Sequence, residues 1–108
     1  MNRQIKYVCN TVKWRDGING NTYHSCRITR CKDGAVITCP FTYGYGDHYR
    51  QTALEAMAQE KWLPVKYRTD DAWCRYEREN RYPILWNMRD GLKRECIENG
   101  TPIQGGEK

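Results

Sequence analysis

Apolar and polar positions alternate with a period of two over most of the first 43 residues, a pattern typical of β-strands. It predicts three strands, at 4–14, 23–31 and 35–43. The turn-forming dipeptides Asp16-Gly17 and Asn19-Gly20 place a loop between the first two. In the first strand one face carries Val8, Val12 and Trp14, and the other carries Tyr7, Cys9 and Thr11.

Asp33-Gly34 predicts a two-residue hairpin turn between the second and third strands, with Lys32 opposite Ala35. In this register Ile28 faces Cys39, Arg30 faces Ile37, and one hairpin face is an apolar core face made of Cys26, Ile28, Ile37, Cys39 and Phe41. The other face is rich in hydroxyl groups and is expected to be free to bind a ligand; it carries Tyr23, Ser25, Arg27, Thr29, Thr38 and Thr42.

The chain then turns sharply from the third strand into its longest predicted helix, at 48–62. The G-x-G sequence of Gly44 and Gly46 allows a tight corner, and Asp47 is predicted to cap the helix. Unpaired N–H groups at a helix start attract anions, so a phosphate site beside His48, Tyr49 and Arg50 is one interpretation. An ordinary structural corner is the other. The packing stripe and the residue that stops the helix are Ala53, Leu54, Met57, Ala58 and Pro64.

The C-terminal half predicts a helix capped near Thr69 and ending at Glu79, a fourth strand at 84–88 and a short helix at 92–99. The expected fold is one α+β domain over residues 1–100. An antiparallel sheet of three or four strands packs on the main helix in the order β-β-β-α, and a small C-terminal α+β extension follows. Residues 101–108 are expected to form a flexible tail. Whether the fourth strand joins the main sheet stays open.

Positive charge is concentrated in the strand-forming half. Residues 1–46 contain seven Lys or Arg and two acids, whereas residues 47–108 contain eleven of each. A one-sided basic surface is typical of proteins that bind nucleic acid or an acidic partner, although a net charge of +5 is also ordinary for a small domain. Four Trp and eight Tyr against one Phe favour half-wet contact surfaces.

No apolar run reaches membrane-spanning length, and the first six residues lack a signal-peptide core. We therefore expect a cytoplasmic protein, no membrane partner and six reduced thiols. No metal site or cofactor is expected, because Cys26 and Cys39 meet only diagonally and Cys9 would have to join them. No catalytic motif occurs, so we do not expect an enzyme.

Two resemblances add expectations. Residues 5–62, with the β-β-β-α order, the G-x-G at the helix start and alanines at 53 and 56, resemble the second half of a double-stranded-RNA-binding domain. That family places the helix start over duplex phosphates. The stretches 19–25 and 43–53 resemble small uncharacterised proteins of phages and mobile elements. Such a resemblance implies a binding role, as in anti-defence inhibitors of the anti-CRISPR type.

The predicted function is non-catalytic binding of nucleic acid or of a host or effector nucleoprotein. Through this binding the protein is expected to act as an anti-defence inhibitor. An RNA- or DNA-binding accessory domain without inhibitory action is the alternative. If the partner is instead a protein, Trp73 and Tyr76 are the expected anchors. Oligomeric state is left open. The predicted contact residues are Lys13, Arg15, Tyr23, Arg27, Lys32, Tyr45, His48, Tyr49 and Arg50.

Overall fold

The α+β class predicted from the sequence is confirmed by a computed structural model, which describes residues 4–67 and 72–102. Four strands form one open sheet flanked by three helices. The strands are β1 (Tyr7–Arg15), β2 (Thr22–Arg30), β3 (Val36–Tyr43) and β4 (Ile84–Asp90). The helices are α1 (His48–Gln59), α2 (Ala72–Glu79) and α3 (Lys93–Asn99), with a 3₁₀ turn at Val65–Tyr67. The predicted cap at Thr69 and the tail beyond Pro102 lie outside the described residues.

The sheet has the order β3-β2-β1-β4 and is mixed rather than antiparallel. β2 runs antiparallel to β1 and β3, whereas β4 lies parallel to β1 with Tyr7 paired to Ile84. The long connection through α1 and α2 provides the crossover that a parallel pair requires. The C-terminal segment therefore joins the main sheet through β4, which answers the question that the sequence left open. The boundary at residue 100 stays a prediction.

The register of the β2–β3 hairpin differs from the prediction. Ile28 pairs with Ile37 and Cys26 with Cys39, because the turn contains four residues, 31–34, instead of two. The Asp33 carboxylate accepts the N–H of Ala35 at 3.1 Å, and Gly34 takes a positive φ of 75°. A shift of two residues leaves each side chain of β2 on its predicted face.

A β-bulge moves Phe41 away from the predicted core face. Pairing shifts between His24 and Cys26, so that Ser25 lies opposite both Pro40 and Phe41. Proline lacks an N–H to donate to a ladder and is tolerated at such a bulge on an edge strand. Phe41 consequently stacks on Tyr23, with ring centroids 4.8 Å apart, on the face opposite Cys26.

Helix α1 covers one face of the sheet and α3 covers part of the other. The Cys26 thiol donates to the Tyr49 carbonyl of α1 at 3.6 Å, whereas the neighbouring Ser25 hydroxyl donates to the Cys96 carbonyl of α3. Because successive side chains of a strand point to opposite faces, the two helices lie on opposite sides. The main core lies under α1 and includes the fully buried Ile28, Leu54 and Met57.

The sequence predicts that the hydroxyl-rich face of β2 is free to bind a ligand. This prediction is wrong, because α3 covers part of that face. The Arg27 guanidinium donates to the carbonyl oxygens of Glu98, Asn99 and Thr101 at 3.2, 3.3 and 2.9 Å. The Asn99 amide also donates to the Ser25 carbonyl, at 3.2 Å. These contacts hold the C-terminal end of α3 on the sheet.

Helix α1 ends three residues earlier than predicted. The Trp62 N–H donates to the Met57 carbonyl at 2.9 Å, and Lys61 has a φ of 64°. This is a Schellman motif, which closes a helix through one residue in the left-handed conformation. The helix therefore stops at Gln59 before Pro64 can act.

Candidate functional site

The corner between β3 and α1 is built on close backbone packing. A Cβ atom added to Gly44 would lie 2.6 Å from Cδ2 of His48 and 2.8 Å from Cε1 of His24, so only glycine fits there. Gly46 takes a positive φ of 61°. Asp47 occupies the cap position of α1, as predicted, but its side chain makes no capping hydrogen bond. The first N–H groups of the helix consequently stay free of that carboxylate.

The imidazole of His24 contacts both the turn and the helix of this corner. Nδ1 lies 3.1 Å from the Gly44 carbonyl oxygen, and Nε2 lies 2.9 Å from the hydroxyl of Thr52 in α1. The ring is fully buried, and this burial lowers the pKa of His24 below its ordinary value. A neutral ring that donates from Nδ1 and accepts at Nε2 satisfies both contacts. His24 therefore links β2, the Gly44 turn and α1.

At this corner lies an open groove of about 710 Å³, here called the corner groove. Tyr45 is 72% exposed and Tyr43 55% exposed, so two large aromatic side chains face solvent at its rim. The indole of Trp73, from α2, also lines the groove and is half-buried. The groove is lined by Tyr43, Gly44, Tyr45, Asp47, His48, Gln51 and Trp73.

A cation lies against the same wall. The Arg50 guanidinium carbon is 5.2 Å from the Trp73 ring centroid, 5.1 Å from that of Trp86 and 5.7 Å from that of Tyr49. The ammonium of Lys13 lies 5.5 Å from the Tyr49 centroid. A cation within about 6 Å of an aromatic ring is attracted to its face. Arg50 is thus held in place by three rings, beside the groove.

A buried carboxylate steadies this arrangement. Glu77 of α2 is only 4% exposed and accepts a hydrogen bond from the indole Nε1 of Trp86. Trp86 in turn packs edge-on against Tyr49, with centroids 5.8 Å apart. Strand β4 and helices α1 and α2 therefore meet at one polar and aromatic cluster. The wall of the corner groove belongs to the packed body of the protein.

The structure brings together only some of the predicted contact residues. Lys13, Tyr45, His48, Tyr49 and Arg50 lie on the α1 side at the corner, and Tyr49 is buried rather than exposed. Arg15 is exposed at the same end of the sheet, at the end of β1.

The other predicted contact residues lie elsewhere. Tyr23 and Arg27 lie on the α3 side, where Tyr23 stacks with Trp14 and Phe41. Lys32 lies in the hairpin turn at the opposite end. The excess cations of the first half are therefore divided over several surfaces. Tyr76, predicted as an exposed protein anchor, is 4% exposed and cannot reach a partner.

Sequence reasoning did not connect Trp86 and Glu77 with this site. Trp86 comes beside α1 only because β4 pairs with β1, where Cys9 and Trp86 are partners. The parallel pairing has no local signal in the sequence. The apolar residues of the segment, such as the exposed Leu85 and Met88, predict a strand but do not indicate which strand it pairs with.

Three thiols converge beneath α1. Cys26 pairs directly with Cys39, correcting the predicted diagonal arrangement, and the Thr11 hydroxyl lies 3.4 Å from Cys26 Sγ and 3.7 Å from Cys9 Sγ. Hydrogen bonds from Cys39 and Cys9 lower the pKa of Cys26, while hydrogen bonding to Cys26 and burial raise the pKa of both neighbours. Within the described residues, no group of three or more His, Cys, Asp or Glu has the arrangement of a metal site.

Comparison with known proteins gives no relative: no family model, no curated protein and no solved structure matches the chain. None of the helices in the described ranges is both long and apolar enough to cross a membrane. The functional interpretation therefore rests on the geometry of the site.

Proposed function

We propose that this protein binds single-stranded nucleic acid in the corner groove and catalyses no reaction there. The observation that carries the proposal is a groove of about 710 Å³ whose lining includes the exposed side chain of Tyr45, the half-buried indole of Trp73 and Tyr43, whose ring packs edge-on against Tyr23. Aromatic side chains on which bases stack, next to cations that meet the phosphates, are the common design of single-strand-binding surfaces.

The electrostatics of the groove favour a single strand over a duplex. Among the described residues, Arg50 lies over the lining residue Trp73 and Lys13 lies over the neighbouring Tyr49, and Asp47 contributes one negative charge to the lining. A duplex binder would neutralise a longer row of phosphates. Stacking should therefore supply most of the affinity. With two phosphates neutralised, the slope of log K against log salt for a single strand should be about −1.4.

An inhibitory role would use the same surface. The resemblance to phage and mobile-element proteins makes a host nucleic-acid-processing complex the proposed target, in the cytoplasm. A protein that occupies a nucleic-acid channel needs exposed aromatic anchors and cations near a groove, which Tyr45 and Arg50 provide. Titrating the protein into a nuclease effector assay tests this use; unchanged cleavage would leave the accessory-domain alternative.

The binding test compares Tyr45→Ala with Tyr82→Ala. Both tyrosines are more than half exposed, but Tyr82 lies in the turn after α2 and outside the groove. Loss of one stacking ring costs about 1–3 kcal/mol per base, so Tyr45→Ala should weaken single-strand binding about tenfold. Tyr82→Ala should leave it unchanged. Equal affinities of the two variants would contradict the proposed surface.

A further inference from the structure

A second cavity lies at the opposite end of the sheet, where the start of β1 meets the β2–β3 turn and the end of α1. It has a volume of about 550 Å³ and is here called the tip cleft. Binding pockets for small molecules have volumes of this order. Its cationic and aromatic lining consists of Lys6, Tyr7, Arg30, Lys32, Lys61 and Trp62. No Asp or Glu lines it within the described part of the chain.

The floor of the tip cleft is rigid. Tyr7 and Trp62 stack with centroids 5.9 Å apart, and the Arg30 guanidinium lies 4.5 Å from the Trp62 centroid. Arg30 is also fixed by two hydrogen bonds to the Asp33 carboxylate, at 3.0 and 2.7 Å. Asp33 therefore offsets the charge of Arg30. The ammonium groups of Lys6, Lys32 and Lys61 remain. Within the described residues, none of them forms an ion pair.

Lys61 occupies a backbone position that normally selects glycine. Its φ of 64° places it at the left-handed residue of the Schellman motif that closes α1. A side chain there is strained, and strained residues cluster at functional sites. The sequence keeps a lysine at this position, where its side chain lines the cleft. This observation is independent of the cavity and of the other cations.

We propose that the tip cleft binds a phosphate monoester, carried either by a nucleotide or by the 5′ end of a nucleic-acid strand. The dianion would lie among Lys6, Lys32 and Lys61, and the stacked pair of Tyr7 and Trp62 would form the wall beside the attached nucleoside. The site shares no lining residue with the corner groove. It is thus a second binding site, separate from the proposed function.

The test is isothermal titration of the full chain with adenosine 5′-monophosphate, with adenosine as the ligand that lacks phosphate. The informative variant is Lys61→Gly, which removes the cation and relieves the left-handed strain. We expect it to weaken binding of the monophosphate about fivefold, as for one cation facing an anion across water, and to raise the thermal midpoint. Arg94→Ala, an exposed cation of α3 outside the cleft, is the matched control.

Monophosphate binding that exceeds adenosine binding and falls in Lys61→Gly, but not in Arg94→Ala, supports the proposal. Equal binding of the two ligands, or full monophosphate affinity in Lys61→Gly, would overturn it. The source of the phosphate is decided in the Tyr45→Ala variant with an oligonucleotide carrying a 5′-phosphate or a 5′-hydroxyl. Binding of the 5′-phosphorylated strand that is tighter than that of both the 5′-hydroxyl strand and the monophosphate identifies the strand end, whereas equal binding of the two strands identifies the free nucleotide.

Discussion

Replacement of Arg27 by alanine should destabilise the fold without weakening nucleic-acid binding. Its guanidinium donates two hydrogen bonds to the last carbonyls of α3, at 3.2 and 3.3 Å, and a third to the carbonyl of Thr101 just beyond the helix, at 2.9 Å. A hydrogen bond from a charged group contributes about 1.5–3 kcal/mol when buried, and two of these three are exposed. A cation at a helix C-terminus adds about 0.3–1 kcal/mol. We therefore expect a total loss of about 2 kcal/mol in the free energy of unfolding.

Urea denaturation followed by circular dichroism measures this loss, and the thermal midpoint should fall by about 10 °C for a chain of this size. Arg27→Lys keeps the positive charge but reaches fewer carbonyls, so it should lose about half as much. Binding of a single-stranded oligonucleotide should be unchanged at a temperature where the variant is folded. Unchanged stability would refute the capping role, and lost binding in a folded variant would return Arg27 to the contact surface.

Three further perturbations test the packing around the sheet. Burial lowers the pKa of His24 in the folded protein, so as the pH falls His24 is protonated in the unfolded chain before it is protonated in the folded one. The free energy of unfolding should therefore fall as the pH drops below about 6.5. His24→Asn should flatten this dependence in urea titrations. Cys31 and Cys74 are the two exposed thiols, so a thiol reagent should modify two groups rapidly in the native protein and six in urea. Gly100→Ala would place a Cβ 2.6 Å from a β3 carbonyl oxygen and should cost about 1–3 kcal/mol, whereas Gly17→Ala, with open space around it, should not.

The sequence was sufficient to predict the three consecutive strands and the main helix. Alternation along β1 identified both faces correctly: Cys9 is fully buried under α1, and Val12 is buried on the opposite side. The glycine corner before α1 was also recognised. These features depend on neighbours within a few residues, which a local pattern contains.

The errors arose where distant segments meet. The parallel position of β4 beside β1 joins residues 77 apart, such as Tyr7 and Ile84, and no short-range signal specifies it. The sequence assigns Arg27 to a binding surface because nothing in the local pattern shows that α3 packs on its face of β2. Phe41 changed face because a bulge at Pro40 interrupts the alternation. Each of these errors follows from tertiary structure that the local pattern does not determine.

The candidate site was predictable in part for the same reason. Tyr45, His48 and Arg50 follow one another along the corner and were assigned to it together. Trp73 and Trp86 reach Arg50 from α2 and β4, which the fold brings together. The lysines of the tip cleft come from three separate segments, so their proximity emerges only from the structure.

The most direct test of the central claim is fluorescence anisotropy of labelled single-stranded and duplex oligonucleotides over a range of salt concentrations. The proposal predicts preferential single-strand binding, a shallow salt dependence with a slope near −1.4, and a roughly tenfold loss in Tyr45→Ala but not in Tyr82→Ala. Absence of single-strand binding, or binding that is indifferent to Tyr45→Ala, would contradict the claim that the corner groove is a nucleic-acid site.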